Sequence, residues 1–232
     1  MALSGDAAMV LFYDFAGDPA DHDAWHSREH LHERLSVPGF LRATRWVGEG
    51  EGPRYLVIYE VDAVSVATAP AYLERLENPT PWTAQVMPRF RGMMRGFSHV
   101  VAGAGYGLGG VALAVRFAPG PGAESRLSDW IARKILPEMM AEPGMVASCL
   151  LRPAPPPPMT REQSLRGPDA FLPWVLFATA YDRAALERVA TAAIVAGAFA
   201  ENGAAAAPAM GLYALHCFAT AEEVARTLPP RA

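Results

Sequence analysis

Apolar and polar positions in the first half of the chain follow periods that predict strands and helices in a definite order. Alternating apolar residues indicate strands, and apolar residues spaced by three or four indicate helices. Asp21 or Asp23 is expected near the N-cap of the first helix, which ends before Val37, Pro38 and Gly39. The predicted elements are strand 8–15, a helix from about 21, strands 40–47 and 54–61, helices 66–76 and 82–90, and strand 94–102.

The second half of the chain repeats the first. A shift of 105 residues matches Phe12 to Phe117 and Trp25 to Trp130. The second set of predicted elements is strand 111–117, helix 124–140, strands 145–151 and 174–181, helix 183–200 and strand 211–218. The segment 105–110 satisfies G-x-G-x-x-G but precedes a strand, so we interpret it as a linker. We expect one unit over residues 1–104 and a second over 105–232.

The second unit carries an insertion within 152–167. The matching shift is 105 at Trp25 but 120 at Asp62, which matches Asp182, so about fifteen residues are added. Proline-rich chain at 153–158 favours an extended, polyproline-like arm. The arm is either a solvent-exposed loop or a flap over a neighbour's site, and the loop is favoured because connecting segments generally run over the surface.

Both halves share the order β-α-β-β-α-β, which predicts an α+β protein of two ferredoxin-like repeats. Each repeat has a four-stranded antiparallel sheet with helices on one face, so the other face needs a cover. Two such sheets can cover each other. The expected architecture is therefore a pseudo-dimeric α+β barrel.

The composition is that of an ordinary globular protein. Of 232 residues, 51% are hydrophobic and 19% are charged. A net charge of −4 with scattered basic residues argues against nucleic acid or an anionic membrane as a partner. No run of about eighteen apolar residues occurs, so we expect no membrane span and a cytoplasmic location.

Four of the six histidines lie within residues 21–36. His22, His26 and His30 are spaced by four and share one helix face, with Glu29 beside them. Their counterparts in the second half are Leu127, Ile131 and Ile135, which we expect to pack on the sheet. An inward imidazole must be hydrogen-bonded, coordinated or open to a cavity, because an unpaired buried polar group costs about 1–3 kcal/mol. The stripe predicts a lined pocket, one per chain.

Trp25, His26 and His30, followed by Pro38, Gly39 and Phe40 in a tandem β-α-β-β-α-β chain, resemble the dimeric α+β barrel superfamily, especially its EthD-like members. The resemblance covers both halves. It implies a pseudo-dimer within one chain, allows a homodimer, and implies a polar site on the first helix. The superfamily includes cofactor-free monooxygenases, isomerases, cyclases, dehydratases and haem-binding enzymes, so the resemblance alone implies no single reaction.

The segment from His26 to His30 matches H-x-x-E-H, a pattern in which two histidines bind zinc and the glutamate activates water. The match is short, and His22 could supply a third ligand only with distorted spacing. We expect instead that His26 and His30 exchange protons and that Glu29 orients or charge-stabilises one of them. The alternative is a solvent-facing polar helix with one hydrogen-bonded histidine.

Further residues are candidates for substrate binding. They are His22, Trp25, Tyr59, Trp82, Arg95 and His99. Tyr59 or Arg95 could stabilise an oxyanion, and Trp82 could stack on a ring. Each also has a structural interpretation: core packing for the two aromatic residues, solvent exposure for Arg95. For His99 it is a structural role shared with His216.

Together these features favour a small cytoplasmic enzyme, free of cofactors, that transfers protons in an apolar or aromatic carbonyl or hydroxy compound. It would act as an isomerase, dehydratase or cyclase. A cofactor-free monooxygenase is a close alternative. From another class, a noncatalytic protein would hold haem or a hydrophobic metabolite between the sheets, with a histidine as ligand. Zinc at the histidines is the other cofactor considered.

Overall fold

The structure, a computed structural model, describes residues 3–194 and 197–227, and of 192–194 the backbone only. Eight antiparallel strands in these ranges form a closed barrel. They are β1 (Ala7–Phe15), β2 (Phe40–Gly48), β3 (Tyr55–Val61), β4 (Phe90–Gly105), β5 (Val111–Phe117), β6 (Met145–Pro153), β7 (Trp174–Ala180) and β8 (Ala209–Thr220).

The order around the barrel is β1-β3-β2-β8-β5-β7-β6-β4. The two halves meet where β2 pairs with β8 and where β4 pairs with β6, with Thr44 opposite Phe218 and Val100 opposite Leu151. The predicted α+β barrel in a single chain is confirmed. The hairpin of β2 and β3 and the linker between β4 and β5 also agree with the sequence.

Helices cover the outside of the barrel. The first, α1, runs over 19–35 as Pro19–Trp25, a π-helical turn His26–His30, and Leu31–Leu35. The others are α2 (Pro70–Glu77), α3 (Pro81–Val86), α4 (Glu124–Trp130, Ile131–Ile135 and Leu136–Ala141), α5 (Arg161–Ser164), α6 (Arg183–Ile194), α7 (Ala198–Glu201) and α8 (Ala221–Arg226). Among the described residues, none of these helices is long and apolar enough to cross a membrane.

Two helix predictions were wrong in detail. The N-cap of α1 is Asp18, whose carboxylate accepts the Ala20 N–H at 2.9 Å, because Pro19 readily occupies the first helical position. The helix predicted over 66–76 is split into a short 3₁₀ turn, Val64–Thr68, and α2, because Pro70 starts a new helix. The helix predicted over 183–200 includes residues 195 and 196, which lie outside the described residues.

The barrel wall divides the buried apolar side chains into three cores. The interior is filled by side chains from both halves, among them Phe12, Trp46, Phe177 and Tyr213. The other two cores lie outside the barrel, each between one sheet and its helices.

The helix stripe of the second half is a core stripe, as predicted. Leu127, Ile131 and Ile135 of α4 are buried against β5 and β7 with Leu113 and Leu176. The corresponding face of α1 carries the histidines. The first half therefore has buried polar side chains between its first helix and its sheet, where the second half has apolar ones.

Candidate active site

The inner face of α1 carries four polar side chains at a spacing of four residues. His22, His26, His30 and Arg34 are each at least nine-tenths buried. The ring centroids of successive histidines lie 5.6 and 5.8 Å apart. Arg34 continues the stripe, a point that the sequence analysis missed although the spacing shows it. Its counterpart in the second half is the buried Met139.

A π-helical turn lies in the middle of the stripe. The Leu31 N–H bonds to the His26 carbonyl, and at the matching place in α4 the Leu136 N–H bonds to the Ile131 carbonyl. Such turns are common at functional sites. Here the turn belongs to both halves, so it is a property of the repeat, and only the side chains distinguish the first half.

His22 is completely satisfied by two neighbours. Its Nδ1 lies 2.9 Å from an Asp23 carboxylate oxygen, and its Nε2 lies 2.9 Å from the Tyr13 hydroxyl oxygen. Because a carboxylate only accepts, Nδ1 donates and Nε2 accepts the Tyr13 hydroxyl proton. Burial is the main cause that lowers the pKa of His22 to about 4. His22 is therefore neutral near pH 7, and its Nε2 is covered by the Tyr13 hydroxyl.

His26 and His30 are buried but only partly satisfied. The Tyr59 hydroxyl oxygen lies 3.3 Å from His26 Nε2, while Nδ1 of both histidines has no hydrogen-bond partner among the described residues. The Glu33 carboxylate is 4.0 Å from His30 Nδ1, too far for a hydrogen bond. Burial, followed by the charges of Arg45 for His26 and Arg34 for His30, lowers the pKa of each well below its usual value. Both are neutral imidazoles with an uncommitted nitrogen.

Arg34 is held by the proline-rich insertion. Its Nη2 donates to the carboxylate of Glu162 in α5, and both residues are buried. Burial lowers the pKa of Arg34, but the Glu162 charge, Tyr72, Tyr59 and the hydrogen bond to Glu162 together raise it above the ordinary value. The other nitrogen, Nη1, has no partner among the described residues.

The proline-rich part of the insertion is a loop with Pro155, Pro156, Pro158 and Met159 exposed, as the favoured expectation has it, whereas α5 after it is directed at α1. It folds over the first half of its own chain, where Glu162 reaches a helix 128 residues earlier. A buried arginine in α1 needs a carboxylate, and the insertion supplies it. The alternative expectation, a flap over a neighbour's site, agrees only with the part around Glu162, and that part covers α1 of the same chain.

A cleft lies between α1 and the outer face of β1, β3 and β4. We call it the site cavity; it encloses about 390 Å³ of unfilled space, counted to its open mouth. Its polar wall is formed by His26, His30, Arg34, Tyr59, Arg95 and Arg166. Apolar and aromatic side chains, including Trp25, Val57 and Phe90, form the rest. Burial is the main cause that raises the pKa of Tyr59, so its hydroxyl keeps its proton.

Three arginines line the site cavity and meet nearby carboxylates. Arg95 donates to the Tyr72 hydroxyl at 2.6 Å and lies 3.6 Å from an Asp169 carboxylate oxygen, which also binds Arg166 at 2.8 Å. With Arg34 and Glu162, three guanidinium groups face two carboxylates, and the histidines are neutral. The Glu33 carboxylate, 4.0 Å from His30 Nδ1, is a third acidic group near these arginines, so the donor left for a bound oxyanion is Arg34 Nη1, which has no partner among the described residues.

The structure does not bring four predicted residues to the wall of the site cavity: His22, which is bonded to Tyr13, and Glu29, Trp82 and His99. Glu29 accepts hydrogen bonds from the Thr80 and Thr83 hydroxyls at 2.6 and 3.1 Å, which ties α1 to α3. Trp82 is half-buried against the first outer core, and His99 lies on β4 beside β6. Tyr13, Tyr72, Glu162 and Arg166 were missed, because only folding brings their separate segments to α1.

The histidine stripe does not fit a zinc ion. A catalytic zinc takes three protein ligands. Both nitrogens of His22 are engaged, and His26 Nε2 faces Tyr59, so two Nδ1 atoms remain. No group of three metal-binding side chains occurs in the part of the chain that the structure describes.

Comparison with known proteins supports the fold. No family model and no curated protein matches the chain. An anthrone oxidase-like protein superposes with a TM-score of 0.69 at 10% identity, over 100% of this chain and 99% of the other. A monooxygenase candidate from Lactobacillus acidophilus NCFM gives 0.57 at 11% identity, over 93% and 97%. A mutant chlorite dismutase from Candidatus Nitrospira defluvii gives 0.52 at 9% identity, over 95% and 94%.

At such identities the likeness concerns the fold alone. The chain has the fold of the dimeric α+β barrels, with both ferredoxin-like halves in one polypeptide.

Proposed function

We propose that this protein is an enzyme that removes a proton from an apolar or aromatic hydroxy or carbonyl compound and stabilises the resulting oxyanion. One observation carries the proposal. Arg34 Nη1, His26 Nδ1 and His30 Nδ1 are buried without hydrogen-bond partners among the described residues, and all three side chains line one cavity. Buried polar groups of this kind are costly unless a ligand engages them.

Neutral imidazoles suit the first step. His26 or His30 would accept the proton, and the imidazolium so formed would lie beside the substrate oxyanion in a water-poor cavity, where each charge stabilises the other. Arg34 and Arg95 would donate hydrogen bonds to the oxyanion, and Tyr59 would hold His26 in place. Glu29 would act on α1 through Thr80 and Thr83 and position the stripe.

Isomerisation, dehydration or cyclisation can follow from such an anion, since the same histidine can return the proton at another atom. A noncatalytic role in holding a hydrophobic metabolite would use the same cavity, but it gives no purpose to the two uncommitted imidazole nitrogens.

The test is turnover of a panel of phenols and β-dicarbonyl compounds by His26→Ile and His30→Ile, which introduce the residue of the second half. Turnover should fall by about 100-fold or more in at least one variant, since a general base contributes that much. His99→Ala, which lies outside the cavity, is the control. Wild-type turnover in both isoleucine variants would contradict the proposal.

A monooxygenase is the second candidate, and the names of two fold neighbours favour it. The deprotonated substrate would react with O₂ directly: a CH₂ group becomes C=O, one oxygen atom enters the product and the other leaves as water. The substrate supplies all the electrons, so no cofactor is required. Oxygen uptake equimolar with product supports this reaction; turnover at the same rate without oxygen contradicts it.

Three further expectations belong to the proposal. Membership of the EthD-like group is supported by Trp25, His26 and His30 on α1. A homodimer is supported by the fold neighbours, and a cytoplasmic location by the composition.

A further inference from the structure

A second cavity lies under the proline-rich insertion, apart from the space between α1 and the sheet. We call it the insertion cavity, and the centre of a water molecule can occupy about 160 Å³ of it. One wall is formed by β4, and the other by the insertion and the residues that follow it. An apolar cavity of roughly 150 Å³ can hold one benzene ring, so the insertion cavity has room for a ligand with a single ring.

Backbone hydrogen bonds fix the insertion to β4 at two points. The Ala154 N–H bonds to the Phe97 carbonyl at 2.7 Å where the insertion leaves the barrel, and the Ala170 N–H bonds to the Met93 carbonyl at 2.8 Å where the chain returns. Between these points the chain arches away from β4. The cavity is therefore enclosed by the backbone of the fold and does not depend on the packing of one side chain.

Most of the cavity wall is apolar. Phe97 is buried, Pro157 is half-buried and Phe171 is 68% exposed, and all three present flat rings. Flat apolar surfaces pack well against an aromatic ring. The exposed phenylalanine would also lose contact with water when a ligand ring covers it, which favours binding.

Three polar side chains in the wall form a cluster, and its carboxylate is already engaged. They are Arg95, Gln163 and Asp169. Arg166 donates to the Asp169 carboxylate at 2.9 and 2.8 Å, and Gln163 donates to it at 3.0 Å. Because the Asp169 charge is compensated by Arg166, it does not exclude a second carboxylate from the cavity.

Arg95 is the least engaged group of this cluster. Its side chain is nine-tenths buried, and among the described residues its only hydrogen bond runs from Nη2 to the Tyr72 hydroxyl at 2.6 Å. Nη1 lies 3.6 Å from an Asp169 oxygen, which is too far for a hydrogen bond. A guanidinium group has five N–H donors, so most of those of Arg95 are free for a ligand. A buried cation in this state is best completed by an acceptor that carries a negative charge.

We propose that the insertion cavity binds a small aromatic carboxylate, with its ring against Phe97, Pro157 and Phe171 and its carboxylate on Arg95. The size of the cavity limits the ligand to one ring, and the donors of Arg95 select a carboxylate. The insertion belongs to the second half only, so each chain has one such site. The histidines of α1 take no part in it, and the inference does not rest on the proposed function.

The test is isothermal titration calorimetry of the wild-type protein with benzoate, benzamide and acetate. Benzoate supplies the ring and the charge, benzamide the ring alone, and acetate the charge alone. Benzoate should bind with a Kd below about 1 mM, and the other two should bind at least about tenfold more weakly. Equal binding of benzoate and benzamide, or no binding of benzoate at about 10 mM, would contradict the proposal.

Two variants locate the ligand. Arg95→Met keeps an apolar stem and removes the donors, so benzoate and benzamide should then bind within about twofold of each other. Ala170→Trp adds a bulky ring at an exposed position of the wall and should weaken benzoate by about tenfold or more. Ala206→Trp, at an exposed position away from the cavity wall, is the matched control and should bind benzoate as the wild-type protein does.

Phe171→Ser gives an independent readout if Arg95→Met or Ala170→Trp does not fold. Loss of this exposed ring should weaken benzoate by about threefold or more. Unchanged benzoate affinity in Ala170→Trp and Phe171→Ser would mean that the ligand binds elsewhere. His26→Ile should bind benzoate as the wild-type protein does, and loss of binding in that variant would assign the carboxylate to the site cavity and overturn the proposal. Because no turnover is measured, this site and the proposed function can fail separately.

Discussion

Arg34 and Glu162 form a buried ion pair that joins the first helix to an insertion in the second half of the chain. It fixes the roof of the site cavity, because Glu162 and Arg166 both line it. It also leaves Arg34 Nη1 without a hydrogen-bond partner in the part of the chain that the structure describes. One contact thereby stabilises the fold and contributes a donor for an oxyanion.

The ion pair predicts a strong and asymmetric effect on stability. Arg34→Met, which introduces the residue of the second half, should lower the free energy of unfolding by about 3–5 kcal/mol because Glu162 is left charged and buried. Arg34→Met with Glu162→Leu should cost less than Arg34→Met alone. Urea unfolding measures both. Arg133→Met, at an exposed ion pair with Asp129, is the control and should change stability by less than about 1 kcal/mol. Equal losses in the single and double variants would show that the pair is not coupled.

The histidine stripe predicts loss of stability in mild acid. Folding lowers the pKa of His22 from 6.5 to about 4, and those of His26 and His30 also lie well below 6.5, in each case mainly through burial. Below pH 6.5 the unfolded chain binds protons that the folded chain does not. The free energy of unfolding is therefore undiminished by these histidines above pH 6.5. It decreases as the pH falls towards 4, by up to about 1.4 kcal/mol per pH unit for each histidine.

The matched control replaces the stripe with that of the second half: His22→Leu, His26→Ile and His30→Ile. Its free energy of unfolding should change much less between pH 7 and 5 than that of wild type, measured by urea unfolding at each pH. The same slope in both proteins would mean that these histidines are not held neutral by burial.

Tyr13 should be required to keep His22 satisfied. Burial raises the pKa of Tyr13 well above its usual value, so its hydroxyl stays a donor to His22 Nε2. Tyr13→Phe leaves that nitrogen buried and unpaired and should cost about 1–3 kcal/mol. Tyr106→Phe, at an 84% exposed position, should cost less than about 0.5 kcal/mol. A loss at Tyr13 no larger than this control would contradict the assigned hydrogen bond.

Glu29 should act through the packing of α1. Glu29→Gln weakens the charged acceptor of Thr80 and Thr83 and should lower stability by about 1–2 kcal/mol, with Thr80→Val giving a similar loss. The pH profile of turnover should keep its midpoint in both variants. A shifted midpoint at unchanged stability in Glu29→Gln would instead assign Glu29 a direct part in proton transfer.

Much of the fold could be predicted because local pattern and repeat agree. The shift of 105 residues that matches Trp25 to Trp130 also superposes β1 on β5, α1 with its π-helical turn on α4, and β2 on β6. Helical spacing predicted that His22, His26 and His30 share one face. Their counterparts Leu127, Ile131 and Ile135 predicted that this face is buried.

The parts that could not be predicted depend on distant partners. Nothing near Glu162 in the sequence indicates that it pairs with Arg34, because the contact depends on how the insertion folds back over α1. Glu29 lies next to His30 in sequence, yet its side chain binds Thr80 and Thr83 of another segment. The two smaller errors concern where helices begin. Asp18 is the N-cap of α1, and Pro70 is the first residue of α2.

The most direct test of the account is the ionisation of a phenol bound in the site cavity. The absorbance of bound 4-nitrophenol, titrated with the protein in excess, reports the phenolate fraction at each pH. The nitrogen atoms without partners and the guanidinium groups of the cavity wall should lower the pKa of the bound phenol by at least about one unit relative to free 4-nitrophenol, and His26→Ile with His30→Ile should reduce that shift. An unchanged or raised pKa of the bound phenol would contradict an oxyanion site.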